Sequence, residues 1–514
     1  MANSNDKVLL LRQGDDVAVA VRPLAAGDVV AVNGSEFRVR QDIPAGHKVA
    51  IHEVPEEGTV HKYGQVIGFA TRAISPGDHV HVKNLGVRPL SLEIEYSTAV
   101  PQVEYVPEAL RATFQGFKRP QGSAGTRNYL AVVSTVNCSA TVSRYIADRF
   151  RGDALKEYPN VDGIIAVTHK AGCGMNIQGD DLKMLERTLA GFARHPNVAG
   201  YIVCGLGCEV NQAVSMIQNT GLISLGTTRR EPTVITIQEE GGVSKAVKRG
   251  IREIAGMLPY ANSIQRTTQP ASELFVGTNC GGSDGNSGVT ANPAVGWMTD
   301  EMVRHGGTSV LAETTETYGA EHLLTKRAVS REVGEKLVAL MRWWEDYTSM
   351  HGAQIDNNPS PGNKAGGLTT IYEKSLGALA KGGTGPLVDV VGYAQPIRKR
   401  GFVFMDTPGH DPVSITGLVA GGCNMVVFTT GRGSVFGFKP APSIKVATNT
   451  PLFEHMNDDM DLDAGVILNG VSVEDVGRAL FEKILSVASG EKTKSEILGF
   501  GDEEFNPWMT GAVL

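Results

Sequence analysis

Several signatures are missing from this 514-residue chain, and each absence removes a class of function. No run of about 18 apolar residues occurs, so no membrane-spanning helix is expected. The opening stretch, MANSNDKVLLLRQGDD, holds too short an apolar run for a secretory signal, and a cytoplasmic location is the expectation. Net charge is −7 with no long basic run, which argues against a nucleic-acid partner, whose phosphates need a positive surface. There is no GxxxxGKS/T loop, and GLGCEVN lacks the third Gly of GxGxxG. Cysteine is limited to six residues, none spaced as CxxC, so the zinc signal is weak. In a cytoplasm these are reduced thiols rather than disulfides.

Glycine, by contrast, is abundant at 61 residues, many in short clusters. Such clusters mark tight turns and places where backbone approaches a ligand closely. Hydrophobic content of 41% and charged content of 20% suit a soluble globular protein. The length exceeds one hydrophobic core and points to roughly two to four domains.

Residues 1–96 read as a small all-β module. Short β-rich runs, DVAVAVRPL, EFRVRQDI, HKVAIHEV and QVIGFATRAI, alternate with turns. A loose repeat marks them: LAAGDVV, IPAGHKVA, VPEEGTV, ISPGDHVHV. The pattern suits a compact barrel or clip of short strands. Five of the twelve histidines lie here, at His47, His52, His61, His79 and His81. On a strand, His79 and His81 would share one face. Residues 97–120, broken by prolines, read as a linker. From 121 to 268, the runs NYLAVVSTV, DGIIAVTH, AGYIVCGLG and ISLGTT alternate with helical stretches, which predicts an α/β domain with a largely parallel sheet. The alternation resumes over 269–514 as a second α/β domain. Ligands are expected at the carboxyl ends of such strands.

Chemistry-bearing residues collect at those ends. The densest stretch is VGTNCGGSDGNSGVTANPAVG at 276–296, where a strand runs into Cys280-Gly281-Gly282-Ser283-Asp284 and a helix begins near Ala291. Successive glycines let backbone N–H groups converge on an anion. Cys280 and Asp284 could bind metal, or Asp284 could orient a base; a tight turn with a capping Asp is the plainer reading. His169-Lys170-Ala171-Gly172-Cys173 and Cys204-Gly205-Leu206-Gly207-Cys208-Glu209 end two further strands, and Cys138 repeats the placement. Cys and His suit a borderline metal, and Glu adds an oxygen. Cys138, Cys173, Cys208 and Cys280 could therefore share a metal or iron–sulfur site in one crevice; unrelated buried thiols are the competing reading. Lys364, alone in a proline-stiffened polar loop, can neutralise a carboxylate or act as a base. FTTGRG at 428–433 offers the hydroxyls of Thr429 and Thr430 and the fork of Arg432, which matches a carboxylate. Glu313 and Glu316, after another strand, are ligands or bases on one reading and a solvated pair on the other.

The strings CGGSDGNSGVTANPAVG (280–296), NPSPGNKAGG (358–367) and FTTGRG (428–433) closely resemble the altronate/galactarate dehydratase family. GLGCE (205–209), IPAGHKVA (43–50) and YGQVIGFA (63–70) fit it too, so the likeness spans nearly the whole chain. GAEHLL (319–324) and Cys423 in AGGCNMVVF favour the altronate branch. The resemblance implies an N-terminal β-clip module of the antifreeze-like type, followed by a two-part α/β body. It also implies loss of water from a six-carbon sugar acid to give a 2-keto-3-deoxy acid, assisted by iron or another divalent cation; Fe2+ is the first expectation and Mn2+ the second, ahead of the iron–sulfur cluster that the cysteines suggest. A homo-oligomer is an open expectation.

That elimination sets chemical requirements. The C2 proton beside a carboxylate is weakly acidic, so the aci-carboxylate formed on its loss must be stabilised by a metal or by Arg and Lys. A base takes the proton, and an acid or the metal helps the C3 hydroxyl leave. Metal ligation is assigned to Cys138, Cys173, Cys208, Cys280, His79 and His81. Substrate binding is assigned to Ser283, Asp284, Asn363, Thr429, Thr430 and Arg432, with Lys364 as a second carboxylate partner. The base is undecided among His47, His169, Lys170 and Lys364. On this reading the module folds over the crevice and His47 faces the metal or substrate. Two rivals stand: a lyase expelling sulfite from a sulfonated hydroxy acid, which would need a further cationic pocket, and a non-catalytic sugar-acid-binding protein, which would need neither thiols nor imidazoles.

Overall fold

The structure is a computed structural model that describes residues 2–5, 7–90, 92–120, 122–225 and 231–511. The N-terminal repeat has a physical basis. Each copy opens on an apolar residue held in an isolated bridge, Leu24 with Ile43 and Val54 with Ile74. Three residues later the chain needs positive φ: Gly27 (89°), Gly46 (81°), Gly77 (88°) and, in the one copy without glycine, Glu57 (69°). Glycine adopts this conformation without the Cβ clash that Glu57 must bear. The strands that follow are short. Ala2–Asn5, Val8–Leu10, Val17–Ala20, Lys48–Ala50 and His79–Val80 form a five-stranded antiparallel sheet in that order. Its core holds Val8, Leu10, Ala18, Ala20, Val30 and Val49. The strand carrying His79 ends at Val80, so His81 lies beyond it.

Part of the expected linker is ordered as a strand. Thr113–Arg119 pairs antiparallel with Arg266–Pro270 and with Gly122–Gly125. Its buried phenylalanines, Phe114 and Phe117, are three apart, and this break in the two-residue period hid the strand.

The middle domain holds a four-stranded parallel sheet in the order Gly163–Val167, Tyr129–Ser134, Val198–Gly205, Thr233–Thr236. ISLGTT is not a strand over 223–225, and the rest of it falls largely on 226–230, outside the described residues. The C-terminal domain holds seven parallel strands in the order Leu387–Val391, Phe402–Met405, Thr308–Leu311, Phe275–Cys280, Met425–Thr430, Ser443–Ala447, Leu462–Asp463. The chain starts at the centre, builds one side, then returns to build the other. Strand order therefore reverses between Phe275–Cys280 and Met425–Thr430, and their carboxyl ends open a crevice suited to a ligand. Helix Ala291–Arg304 begins where the sequence placed it. Among the described residues no helix is long and apolar enough to cross a membrane.

Candidate functional site

The N-terminal module covers that crevice. Its turn at Pro44–His47 rests on the loop after Phe275–Cys280 and on residues 365–367. Contact is so close that a Cβ on Gly285 would overlap the Gly46 carbonyl oxygen, and one on Gly367 would stand 2.8 Å from the same atom. A cleft of about 620 Å³ remains between module and body. Val21, Arg22, Pro44 and His47 line it from the module; Asn286, Gly366, Arg432, Asn449, Thr450 and Glu454 line it from the body.

Buried charge fixes the module in place. Lys48 Nζ donates to Glu373 Oε2 (2.9 Å) and to the Gly367 carbonyl (2.7 Å), and Lys62 Nζ donates to Glu373 Oε1 (2.8 Å). All three side chains are at most 1% exposed. Burial alone would raise the Glu373 carboxyl, but the two ammonium groups outweigh it and hold it far below the usual carboxylate range. Burial pushes Lys48 down to about 8 against the pull of Glu373.

Beside this lock, His47, His79 and His81 form a cluster with ring centroids 5.1–5.2 Å apart. His47 Nδ1 is 3.0 Å from His79 Nε2. His47 Nε2 faces the Ala365 carbonyl (3.3 Å) and His81 Nε2 the Lys364 carbonyl (2.9 Å). A carbonyl only accepts, so the Nε2 atoms of both rings carry the proton and their Nδ1 atoms keep a lone pair. Burial, followed by the charge of Lys48 for His47 and by the neighbouring imidazoles for His79, lowers His47 to about 4 and His79 to about 3. Burial lowers His81 as well. His52 is exposed and His61 pairs with Asp16, away from this cluster.

A second cluster lies buried beneath the crevice. Cys280 Sγ is 3.4 Å from Glu313 Oε2 and 3.3 Å from Glu316 Oε2. Lys381 Nζ donates to Glu313 (2.9 Å), and Lys374 Nζ donates to Glu316 (2.7 Å) and Asn358 (2.9 Å). Among the described residues, Cys280, Glu313 and Glu316 are the His, Cys, Asp or Glu group whose donor atoms all lie within 4.8 Å of one another. Burial, then the charges of Glu313 and Glu316, push Asp411 up to about 8. Glu313 sits at φ 66°, a conformation a non-glycine residue holds only under constraint. Unpaired buried oxygens gather around this crevice: Glu313 Oε1, Asn279 Oδ1, Ser283 Oγ and Asn286 Oδ1.

Several residues expected to bind substrate instead brace the crevice. The Asp284 carboxylate accepts from Asn286 N (3.1 Å), Ser287 Oγ (3.0 Å), Thr448 Oγ1 (2.9 Å) and Asn449 Nδ2 (3.2 Å), tying three loops together. Asn363 caps its own short helix through Ser360 and donates to the Ser283 carbonyl (2.8 Å). Thr429 Oγ1 donates to Asn292 (2.8 Å), and Thr430 Oγ1 accepts from Gly433 N (3.0 Å). Arg432 differs: it is exposed, and its guanidinium has no hydrogen bond or ion pair among the described residues. Lys364 holds His81 through its carbonyl, and its side chain is half-buried.

The middle sheet ends differently. His169 is 4% exposed; its Nε2 faces the Ser134 carbonyl (3.0 Å) and its Nδ1 accepts from Ala171 N (3.1 Å), which leaves no lone pair for a base. Lys170 is exposed and lines a separate cavity of about 460 Å³ with Arg144, Asp502 and Glu503. Glu209 is spent on Thr135 Oγ1, Leu206 N and Gly207 N. Cys138, in the first turn of helix Asn137–Asp148, and Cys173 and Cys208, on loops, are exposed; Asn137 N to Ala171 O and Asn211 N to Gly172 O, both 3.0 Å, tie these segments together. Cys280 is buried at the other sheet, with Glu313 and Glu316 as its neighbours, and is not one ligand set with the other three.

Sequence reasoning missed Lys62, Glu373, Lys374, Lys381 and Asp411, and read Lys48 as a possible anion partner where the structure buries it on Glu373. A signal existed for three of them: Glu373, Lys374 and Lys381 interrupt an otherwise apolar and small-residue stretch, YEKSLGALAKGG, which can only be buried with its charges paired.

Comparison with known proteins places each region. Residues 6–88 match the altronate/galactarate dehydratase SAF domain, 116–262 the D-galactarate dehydratase/altronate hydrolase second domain, and 271–513 the D-galactarate/altronate dehydratase C-terminal domain. The altronate dehydratase of Bacillus subtilis (strain 168) is 36% identical over 489 residues, 95% of this chain and 96% of that protein. The L-threo-forming galactarate dehydratase of Escherichia coli (strain K12) is 41% identical over 478 residues, 91% of this chain and 90% of that one. The altronate dehydratase of the same organism is 35% identical over 486 residues, 94% and 95% of the two chains. With all three regions matched in order and the relatives covered almost end to end, the chain belongs to the D-galactarate/altronate dehydratase family.

Proposed function

We propose that the protein is a hydro-lyase that removes water from a sugar acid, giving a 2-keto-3-deoxy acid, in the cleft between the module and the C-terminal domain. The observation that carries this reading is that a free Arg432 and His47, which clusters with His79 and His81, line one cleft at the crevice where strand order reverses. The planar fork of Arg432 takes the substrate carboxylate and stabilises the charge that moves onto it when the C2 proton leaves. His47, on the cleft wall, takes that proton through Nδ1, whose 3.0 Å partner is the His79 side chain and can turn away, unlike the backbone N–H that holds Nδ1 of His169; its Nε2 stays on the Ala365 carbonyl. Lys364, whose carbonyl anchors His81, stands next in line as base or acid.

Donor chemistry favours His79 and His81 as holders of a divalent metal. Their rings are neutral, and His81 has its far nitrogen tied to a backbone carbonyl, as metal-binding imidazoles usually do. Cys280, Glu313 and Glu316 fit less well, because Lys381 and Lys374 already neutralise both carboxylates. The exposed thiols of Cys138, Cys173 and Cys208 are the third donor set, suited to iron or an iron–sulfur cluster. A bound Fe2+ or Mn2+ supplies a Lewis acid. The test is anaerobic chelation followed by Fe2+ addition, with keto acid as the readout and a panel of hexonates and hexarates as substrates. Turnover should vanish and return; full turnover by metal-free protein would remove the metal from the reading. Metal content of His79→Ala and of Cys138→Ser decides which donor set is used.

A further inference from the structure

A second free cation lines the same cleft, from the module. Arg22 follows the strand Val17–Ala20 of the module and lines the cleft with His47, as Arg432 does from the body. Neither guanidinium makes a hydrogen bond or ion pair among the described residues. The carboxylates that line this cleft do not answer the two cations. Asp284 is spent on four donors of its own loops, and Glu454 is a single exposed group. Amide side chains of Asn286 and Asn449 also line the cleft. Asn286 is 6% exposed and its Oδ1 has no partner. A buried acceptor left unpaired costs free energy that a ligand hydroxyl would recover.

A cleft lined by two unpartnered guanidinium groups and an amide acceptor matches a chain with a carboxylate at each end and hydroxyls in the middle. We propose that Arg22 binds the distal carboxylate of a dicarboxylic sugar acid, a hexarate, while Arg432 holds the carboxylate beside the reacting C2–C3 bond. This rests on the hydro-lyase reading of the cleft and adds the substrate class to it. A hexonate would put a neutral hydroxyl where the hexarate has its second carboxylate, and Arg22 would lose its charged partner. The module then does more than close the site: it selects the diacid.

The experiment compares a hexarate with the hexonate of matching stereochemistry in wild type and in Arg22→Ala, with Arg22→Lys as the conservative variant. Arg22 is exposed, so its replacement leaves the core untouched. Arg22→Ala should raise KM for the hexarate about ten- to a hundredfold and change KM for the hexonate less than about twofold, because only the hexarate loses a charge-assisted bond. Arg22→Lys should recover part of the loss, and Arg432→Ala should impair both acids. An unchanged hexarate KM, or an equal rise for both acids, overturns the proposal; the equal rise would mean general attraction of anions. Should neither acid be dehydrated, the hydro-lyase reading fails on its own. Calorimetric binding of the same two acids then still decides Arg22: weaker hexarate binding in Arg22→Ala supports its role, and unchanged binding overturns it.

Discussion

The two parallel sheets end in loops of similar composition and very different availability. Both present glycine, cysteine and a nearby histidine at their strand ends. On the middle sheet the polar groups are spent: His169 uses both nitrogens, Glu209 caps its own loop, and three thiols face outward with little else free. On the C-terminal sheet the module closes over the strand ends, and unpaired oxygens, neutral imidazoles and an unpartnered arginine remain around the cleft. Residue type at a strand end is therefore a weak guide to function. What distinguishes a site is hydrogen-bonding capacity left unspent inside a covered space.

Breaking the cover should have the largest effect. Glu373→Gln leaves Lys48 and Lys62 buried without a full counter-charge, and should cost about 3–5 kcal/mol in urea denaturation. On the middle sheet, His169→Gln should cost only about 1 kcal/mol, the worth of a rearranged hydrogen bond. The sign of the pH dependence follows from the lowered Glu373 pKa. Its stabilisation is fully present above the unfolded value of 4.5 and is lost as pH falls below it, a loss that Glu373→Gln should not show. Identical acid profiles for the two proteins would contradict this.

Next in size is the contrast between two cations. Arg432→Lys should raise KM at least about tenfold, because the planar fork is lost. Lys170→Ala, in the separate cavity of the middle domain, should change KM less than about twofold, as a surface substitution does. Steady-state kinetics on one substrate checks both, and comparable effects would merge the two regions again. The smallest effect concerns the thiols. A maleimide reagent should label Cys138, Cys173 and Cys208 in the native protein, and reach Cys204, Cys280 and Cys423 only on unfolding.

Much of the architecture was legible because it rests on local periodicity. The module's four-fold repeat, the C-terminal strands and the helix start at Ala291 all follow from short apolar runs and glycine turns. The strand Thr113–Arg119 escaped because its phenylalanines break the period. Residue roles were harder. Arg432 and the imidazoles of His47, His79 and His81 stood out by type; Arg432 and His47 line one cleft, and His79 and His81 cluster with His47. Asp284 and Asn363 stood out equally, yet their hydrogen bonds are consumed by the loops they hold. The pairing of Lys48 and Lys62 with Glu373 could not be read, since it lies in contacts across more than 300 residues of sequence.

The central claim is that module and C-terminal domain build one active site around the imidazole cluster. The most direct test is the double variant His79→Ala/His81→Ala, assayed for bound iron under anaerobic conditions and for keto acid formation, with urea denaturation as the fold control. The account expects a folded protein that no longer retains iron and turns over at least about a hundredfold more slowly. A folded variant that keeps its iron and its full turnover would contradict it, and would move the metal away from the module.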